Sequence, residues 1–176
     1  MTALLTRWVR HLWLDQADAR RALPAAAAEQ LRQRVAASEQ RHTGQIRICI
    51  EGGLPASYLW RHLRDRLAPR HLVRQRAVMM FSKLRVWDTE HNNGVLIYLL
   101  LAERAIELVA DRGLTQGVDG AAWRELTARL EHSLRAGHFE QGLSWAVDDV
   151  TALLVRQFPR ADARPSNELP DEPVFR

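Results

Sequence analysis

The stretch VWDTEHNNG, Val86–Gly94, lies directly before the most apolar segment of the chain, VLIYLLLAERAIELVA. That segment holds two β-rich runs, Val95–Leu101 and Ala105–Ala110, which are joined by a short linker. Because a parallel crossover needs about a dozen residues or more, the two runs are predicted to pair as an antiparallel hairpin. The first run is apolar on both faces, which is typical of a central strand.

The remaining segments alternate between strand and helix periodicity. QIRICIE, Gln45–Glu51, alternates like a strand. Apolar residues recur at helical spacing in four other segments: Ala25–Arg41, Arg70–Leu84, Gly120–Arg135 and Phe139–Phe158. We therefore predict an α/β fold, an α/β/α sandwich with a small mixed central sheet and helices on both faces.

Length and composition are those of a single domain with a sizeable core. The chain has 176 residues, 47% of them hydrophobic, and a formal net charge of +4. We divide it into a helical lead-in (1–23), a central domain (24–158) and an extended, proline-containing tail (159–176). Its single cysteine, Cys49, argues against a disulfide framework. We find no signal-peptide pattern and no apolar run of about 20 residues, so the sequence predicts a soluble, cytoplasmic protein.

Polar residues stand on both sides of the predicted hairpin. In an antiparallel hairpin, the start of the first strand and the end of the second lie roughly 5 Å apart. The loop Asp88–Asn93 and the polar turn Asp111–Gly113 are therefore expected to meet at one end of the sheet. Carboxylate and amide oxygens are the ligands that Ca²⁺ and Mg²⁺ prefer. The sequence thus predicts a weak calcium or magnesium site with four candidate ligands: Asp88, Asn93, Asp111 and Asp119.

Each of these residues also has a purely structural interpretation. Asp119 opens a predicted helix, where an aspartate caps free backbone N–H groups. Asp88 can cap a turn, and Asn93 followed by glycine is a common turn pair. Asp111 and Arg112 can form an ordinary surface ion pair, which contributes little to stability. On the residues alone, a structural loop and a metal site both stay open.

Five segments in matching order resemble the TPM domain family, which is named in part after a thylakoid phosphatase. They are Glu39–Ile46 (ExxHTGQI), Phe81–Tyr98 (FSKLRVWDTEHNNGVLIY), Val109–Leu114 (VADRGL), Gly137–Leu143 (GHFEQGL) and Asn167–Val174 (NELPDEPV). The resemblance implies an α/β/α sandwich and, as in some members, a divalent-metal site near the loop that precedes the NGVL strand. Acid phosphatase activity is attributed to some members. Many bacterial relatives carry a membrane anchor and are linked to membrane-protein quality control.

The chain departs from the family pattern in ways that affect the site. It resembles a soluble variant without export signal or anchor, so a membrane role would need a membrane-associated protein partner. Asp111-Arg112-Gly113 stands where typical members read G-x-G, and Asp119 matches the family's downstream aspartate only loosely. The arginine either weakens metal binding or turns the pocket towards an anionic ligand. The candidate residues for binding a cofactor in this pocket are Arg112, Glu90 and Asn92.

We expect a non-catalytic protein-interaction domain. A metal-assisted phosphatase is the alternative, with Asp88 and Asp111 as ligands, Arg112 on the phosphate and His91 as an acid. No nucleophile elbow or glycine-rich phosphate loop supports other chemistry. An anion- or nucleic-acid-binding module is a second alternative, because residues 61–76 form a basic surface on two predicted helices. No nucleic-acid-binding motif accompanies that surface, and a charge run of this type is usually a solvated helix face, so nucleic acid is not the expected partner.

The C-terminal NELPDEPVFR is too apolar for a purely solvated terminus. Its prolines restrict the unfolded chain, which lowers the entropic cost of docking an extended segment. We predict that Leu169 and at least one of Val174 and Phe175 pack onto the sandwich. Asp171 and Glu172 are expected to stay exposed. The alternative is a terminus that becomes ordered only on a partner.

Overall fold

The computed structural model describes residues 9–115, 123, 126–128, 130, 133, 136–160 and 167–176. The helices delimited there are α1 (Gln16–Ala22), α2 (Ala25–Glu39), α3 (Ala56–Asp65), α4 (Pro69–Lys83), α5 (Arg112–Thr115) and α6 (Phe139–Gln157), and residues 9–13 are also helical. The strands are β1 (Gln45–Glu51), β2 (Gly94–Leu100), β3 (Ala105–Ala110) and β4 (Val174–Phe175). The helix predicted over Gly120–Arg135 lies largely outside the described residues.

The four strands form one mixed sheet in the order β3-β2-β1-β4. β2 is antiparallel to β3, with Val95 opposite Ala110, which confirms the predicted hairpin. β2 is parallel to β1 and is buried along its whole length, as expected for a central strand. A 3-10 turn, Leu101–Glu103, links β2 to β3 and is followed by Arg104 in the left-handed conformation at φ 48°.

Helices cover both faces of the sheet, which confirms the predicted α/β/α sandwich. Alternate residues of β2 enter two separate cores because successive side chains of a strand point to opposite faces. Those at 95, 97 and 99 pack with α1, α2 and α6, and those at 96, 98 and 100 pack with α3 and α4. Among the described residues, no helix combines the length and the apolar character that crossing a membrane requires.

The C-terminal segment completes the sheet. Leu169 is buried, and β4 pairs in parallel with the edge of β1 and packs against both cores, which confirms the predicted docking. Glu172 is exposed as predicted. The prediction that Asp171 is exposed is wrong, because the residue is half-buried; Asn167 Nδ2 donates to its Oδ1 at 3.2 Å. Burial raises the pKa of Asp171.

One arginine of the predicted basic surface lies in the core instead. Arg76 is 8% exposed; its Nε donates to Glu51 Oε2 at 2.9 Å, and its Nη2 donates to Oε1 of the same carboxylate. Tyr98 donates its O–H to Glu51 Oε2 at 2.6 Å. Burial by itself lowers the pKa of Arg76, but its hydrogen bonds to Glu51 outweigh burial and raise that pKa above the usual value. The prediction that Arg76 belongs to an exposed basic surface is therefore wrong, because this residue forms a buried ion pair with Glu51.

Two titratable residues of the ExxHTGQI segment are also buried. Glu39 accepts the Ile46 N–H at 2.9 Å, and burial raises the pKa of Glu39 to about 8. His42 Nδ1 lies 3.1 Å from the Gly44 carbonyl oxygen and Nε2 lies 2.7 Å from Ser38 Oγ. Since a carbonyl oxygen can only accept, Nδ1 carries the ring proton. Burial lowers the pKa of His42 to about 4, so both side chains are held in neutral form.

These two residues predict how stability changes with pH. The raised pKa of Glu39 gives stability that is complete below pH 4.5 and is lost as pH rises towards 8. The lowered pKa of His42 gives stability that is complete above pH 6.5 and is lost as pH falls towards 4. Between pH 6.5 and 8 the contribution of His42 is constant, so only Glu39 changes the free energy of unfolding. That free energy should fall by at most roughly 2 kcal/mol over this range.

Glu39→Gln tests this prediction because glutamine keeps an acceptor oxygen for the Ile46 N–H but cannot ionise. We expect the variant to lose the decline in unfolding free energy between pH 6.5 and 8, measured by urea denaturation. Glu29→Gln is the matched control on the same helix. Hydrogen bonds from Arg32 lower the pKa of Glu29 to about 2, so its replacement should leave the decline unchanged. An unchanged decline in Glu39→Gln would contradict the assignment.

Candidate oxygen-lined pocket

The polar loop, Asp88–Asn93, folds back on the start of β2. Gly94 lies so close to the carbonyl oxygen of Val86 that a Cβ at this position would be 1.9 Å from it. Asn92, at φ 51°, turns its carbonyl oxygen to accept the Gly113 N–H at 3.0 Å. Asp111 N donates to Gly94 O at 2.9 Å. The loop and the polar turn thus meet at one end of the sheet, as the hairpin predicts.

Two buried side-chain oxygens in this corner have no hydrogen-bond partner among the described residues. Asn93 is fully buried; its Nδ2 donates to Thr43 Oγ1 at 3.2 Å and its N–H to Thr89 Oγ1 at 3.1 Å, but Oδ1 receives no donor. Asp111 Oδ1 accepts the Arg112 N–H at 2.7 Å, whereas Oδ2 is buried and unpaired. Buried polar atoms in native proteins are nearly always paired, so each such exception calls for an explanation.

The structure gives less support to the other predicted ligands. Asp88 and Glu90 are exposed, and the Glu90 N–H is bound by Glu168 Oε2 at 2.9 Å. Asp119 lies outside the described residues. In the part of the chain that the structure describes, no three His, Cys, Asp or Glu side chains are grouped so that they could hold a metal ion. A cation here would therefore rely on amide, backbone or water oxygens beside one carboxylate, that of Asp111, whose Oδ2 is buried.

We refer to the corner that holds Asn93 Oδ1 and Asp111 Oδ2 as the oxygen-lined pocket, and to Arg112, the neighbour of Asp111, as its rim. The side chain of Arg112 is exposed, and Nη2 donates to Asn92 Oδ1 at 3.2 Å. The guanidinium is thus held by the loop, and within the described part of the chain Oδ2 of Asp111 has no hydrogen-bond partner. Its positive charge opposes a cation in the pocket and would attract an anion to the rim.

The C-terminal tail reaches the same corner, a contact that the sequence did not predict. The buried Gln45 Oε1 accepts the N–H groups of Glu168 and Leu169, both at 3.0 Å. Glu168 in turn binds the Glu90 N–H on the polar loop. Gln45 and Glu168 are 123 residues apart, so no local pattern relates them. The apolar content of the tail was the available signal, and it indicated docking without indicating where.

The match to a protein family spans most of the chain. A family model of the TPM domain matches residues 16–153, a range that includes the hairpin, the polar loop and the pocket. The chain belongs to the TPM domain family. The match confirms the resemblance carried by the sequence motifs, and the TPM domain here extends from α1 into α6.

Solved structures agree with this fold. The TPM domain described here is similar to the NMR structure of the BA42 protein from the psychrophilic bacterium Bizionia argentinensis, with a TM-score of 0.70 and 23% sequence identity. The similarity covers 86% of this chain and 94% of BA42. At this identity the likeness shows the fold alone. None of the curated proteins compared with the chain matches it.

Proposed function

We propose that this TPM domain is a non-catalytic protein-interaction module that binds a divalent cation, Ca²⁺ or Mg²⁺, weakly in its oxygen-lined pocket. The observation that carries the proposal is that two buried oxygens, Asn93 Oδ1 and Asp111 Oδ2, have no hydrogen-bond partner among the described residues. Hard divalent cations take ligands of this chemistry. A bound cation would supply the partner that both oxygens lack.

Low affinity follows from the composition of the pocket. Asp111 offers one buried carboxylate oxygen and Asn93 one neutral oxygen, and affinity for Ca²⁺ rises with the number of charged ligands. Asp88 and Asp119 are the proposed further ligands from the flanking segments. Arg112 at the rim lowers the affinity further because its charge repels the cation.

A partner-binding role is supported by Trp87, which is 51% exposed directly beside Asp88 on the polar loop. Exposed aromatic side chains are frequent anchors of protein interfaces. We propose a protein partner, a membrane-associated protein among the candidates. The alternative of nucleic-acid binding is weakened because Arg76 is buried with Glu51, and Arg64 pairs with Asp65.

The hydrolase alternative would use the same pocket, with metal on Asp88 and Asp111, phosphate on Arg112 and His91 as the acid. Hydrolysis of p-nitrophenyl phosphate in the presence of Mg²⁺ distinguishes the two functions. We expect no turnover above the uncatalysed rate. Turnover that disappears in Asp111→Asn would support the hydrolase and contradict the non-catalytic interaction module.

Groups that could act as nucleophiles elsewhere in the described chain are poorly placed for such chemistry. Cys49 is fully buried, and burial raises the pKa of its thiol to about 12, so it is not a thiolate at neutral pH. Ser38 and His42 are hydrogen-bonded to each other, but both are buried between α2 and α6, where Ser38 Oγ also contacts Thr151 Oγ1 at 2.6 Å. Their arrangement supports packing of the two helices.

Cation binding is predicted to respond to charge at the rim. Arg112→Ala should tighten Ca²⁺ or Mg²⁺ binding roughly fivefold, since a unit charge about 8 Å from a divalent cation contributes about 1 kcal/mol in water. Asp111→Asn should weaken it by at least a similar factor. Isothermal titration calorimetry, supported by the thermal shift at saturating cation, measures both effects.

Arg70→Ala serves as the control, because it removes an exposed arginine on α4, outside the pocket, and should leave affinity unchanged. Affinity that is unchanged or lower in Arg112→Ala, or binding that survives in Asp111→Asn, would contradict the proposed ligands.

A further inference from the structure

The main chain of the C-terminal tail is bound by side chains of the domain body. Three side chains, Gln16, Gln45 and Arg47, contact five main-chain groups of the tail. Gln45 Oε1 accepts two consecutive N–H groups, and Arg47 Nη1 donates to the carbonyl oxygens of Pro170 and, at 3.1 Å, Glu172. Gln16 Nε2 donates to the Phe175 carbonyl oxygen at 2.9 Å. Recognition of this kind depends little on the identity of the bound side chains.

Strand pairing supplies the rest of the main-chain contacts. β4 is only two residues long, with Val174 opposite Cys49 and Phe175 opposite Ile50 of β1. Beyond it, Arg176 N donates to Ile50 O and Arg176 O accepts the Gly52 N–H, both at 2.9 Å. The tail is therefore an added edge strand, the arrangement by which β-augmentation sites hold extended peptides.

Two side-chain positions give the tail its anchors. Leu169 is 7% exposed and packs in the core on the α3 and α4 face. Phe175 is half-buried, and the Arg20 guanidinium lies 5.1 Å from its ring centroid. A cleft of about 330 Å³, lined by Leu23 and Ala28 among others, adjoins Phe175. The second anchor position thus borders an open cleft, whereas the first lies in the closed core.

We propose that the edge of β1 is a binding groove for extended, proline-containing peptides, and that the C-terminal tail is its tethered occupant. The partner is a protein segment of the same chemistry: a leucine followed by proline, then, six positions after the leucine, an aromatic residue. This inference rests on the proposed interaction function and does not depend on the cation.

Replacing the tail with a partner segment would also change a contact of the polar loop, next to the oxygen-lined pocket. Glu168 of the tail accepts the Glu90 N–H of the polar loop at 2.9 Å. A partner segment without an acid at that position removes this contact. The groove and the pocket are therefore joined through one hydrogen bond that the tethered tail makes and a foreign peptide need not make.

A labelled peptide with the sequence NELPDEPVFR tests the groove by fluorescence anisotropy, with EDTA present so that failure of cation binding has no influence. In the wild-type chain the tethered tail competes at an effective concentration of roughly millimolar, so the free peptide should bind weakly. Leu169→Ala in the full-length chain loosens the tail, and peptide affinity should rise at least tenfold. Adding Gln45→Ala should abolish that gain. Phe175→Ala, at a half-buried position, provides a second loosened variant if Leu169→Ala unfolds.

Controls test whether binding depends on the peptide sequence and which segment occupies the groove. A peptide of scrambled sequence should bind neither variant, and Val78→Ala, at an exposed position on α4, should behave like the wild type. Equal binding of the scrambled peptide, a gain that survives Gln45→Ala, or no gain in a folded loosened variant would overturn the proposal. A dimer of the loosened variant that the peptide cannot dissociate would assign the groove to the tail of a second copy instead, and would also overturn it.

Discussion

Arg76→Met is expected to lower the free energy of unfolding by about 3–5 kcal/mol, because it leaves a carboxylate buried without its cation. Glu51 is 4% exposed, and its oxygens accept two hydrogen bonds from Arg76 and one from Tyr98. Methionine fills much of the arginine volume but donates nothing. Urea denaturation at neutral pH measures the loss.

Two further variants distinguish the cost of leaving a charge buried without its partner from the cost of losing an ion pair. Arg34→Met removes a pair in which Nη1 contacts both Asp148 oxygens, at 2.7 and 2.8 Å, but the partners are 46% and 52% exposed. That control should cost about 1 kcal/mol or less. Combining Arg76→Met with Glu51→Leu and Tyr98→Phe should recover most of the loss, since no buried charge remains. A loss in Arg76→Met as small as that in Arg34→Met would refute the account.

Deletion of Asn167–Arg176 is expected to destabilise the chain by about 3 kcal/mol or more. Burying the Leu169 side chain contributes about 1.5–3 kcal/mol, and the hydrogen bonds of the tail add roughly 0.5–1.5 kcal/mol each before the entropy of ordering the tail is subtracted. For a chain of this length, about 3 kcal/mol corresponds to a fall of roughly 6–12 °C in Tm. Thermal denaturation followed by circular dichroism measures the change.

Glu172→Ala is the matched control for the deletion, because this tail residue is exposed and its side chain should contribute little. Leu169→Ala should reproduce a large part of the loss, about 2–3 kcal/mol, by opening a cavity in the core. If the truncated chain melts at the same temperature as the full chain, β4 contributes nothing to the stability of the sheet.

Local patterns were sufficient for the hairpin and for the meeting of the two polar stretches. The linker after Leu101 is too short for a parallel crossover, and pairing Val95 with Ala110 necessarily brings Asp111 beside the end of the polar loop. The two-sided apolar pattern of β2 likewise predicted its central position, because only a strand covered on both faces is apolar throughout. In each case the deciding residues belong to one continuous stretch of the chain, the hairpin and the polar segments that flank it.

What only the tertiary structure decided depends on contacts between distant residues. The basic pattern around Arg76 is that of a solvated surface, and its burial follows from Glu51, 25 residues away, and from Tyr98 on the neighbouring strand. The place of the tail on β1 depends on Gln45, 123 residues from Glu168. Periodicity in a sequence reports which side of one element is apolar. Whether a particular charge or amide on that element is buried, paired or left unpaired depends on which other elements pack against it, and that is determined only when the whole sandwich is assembled.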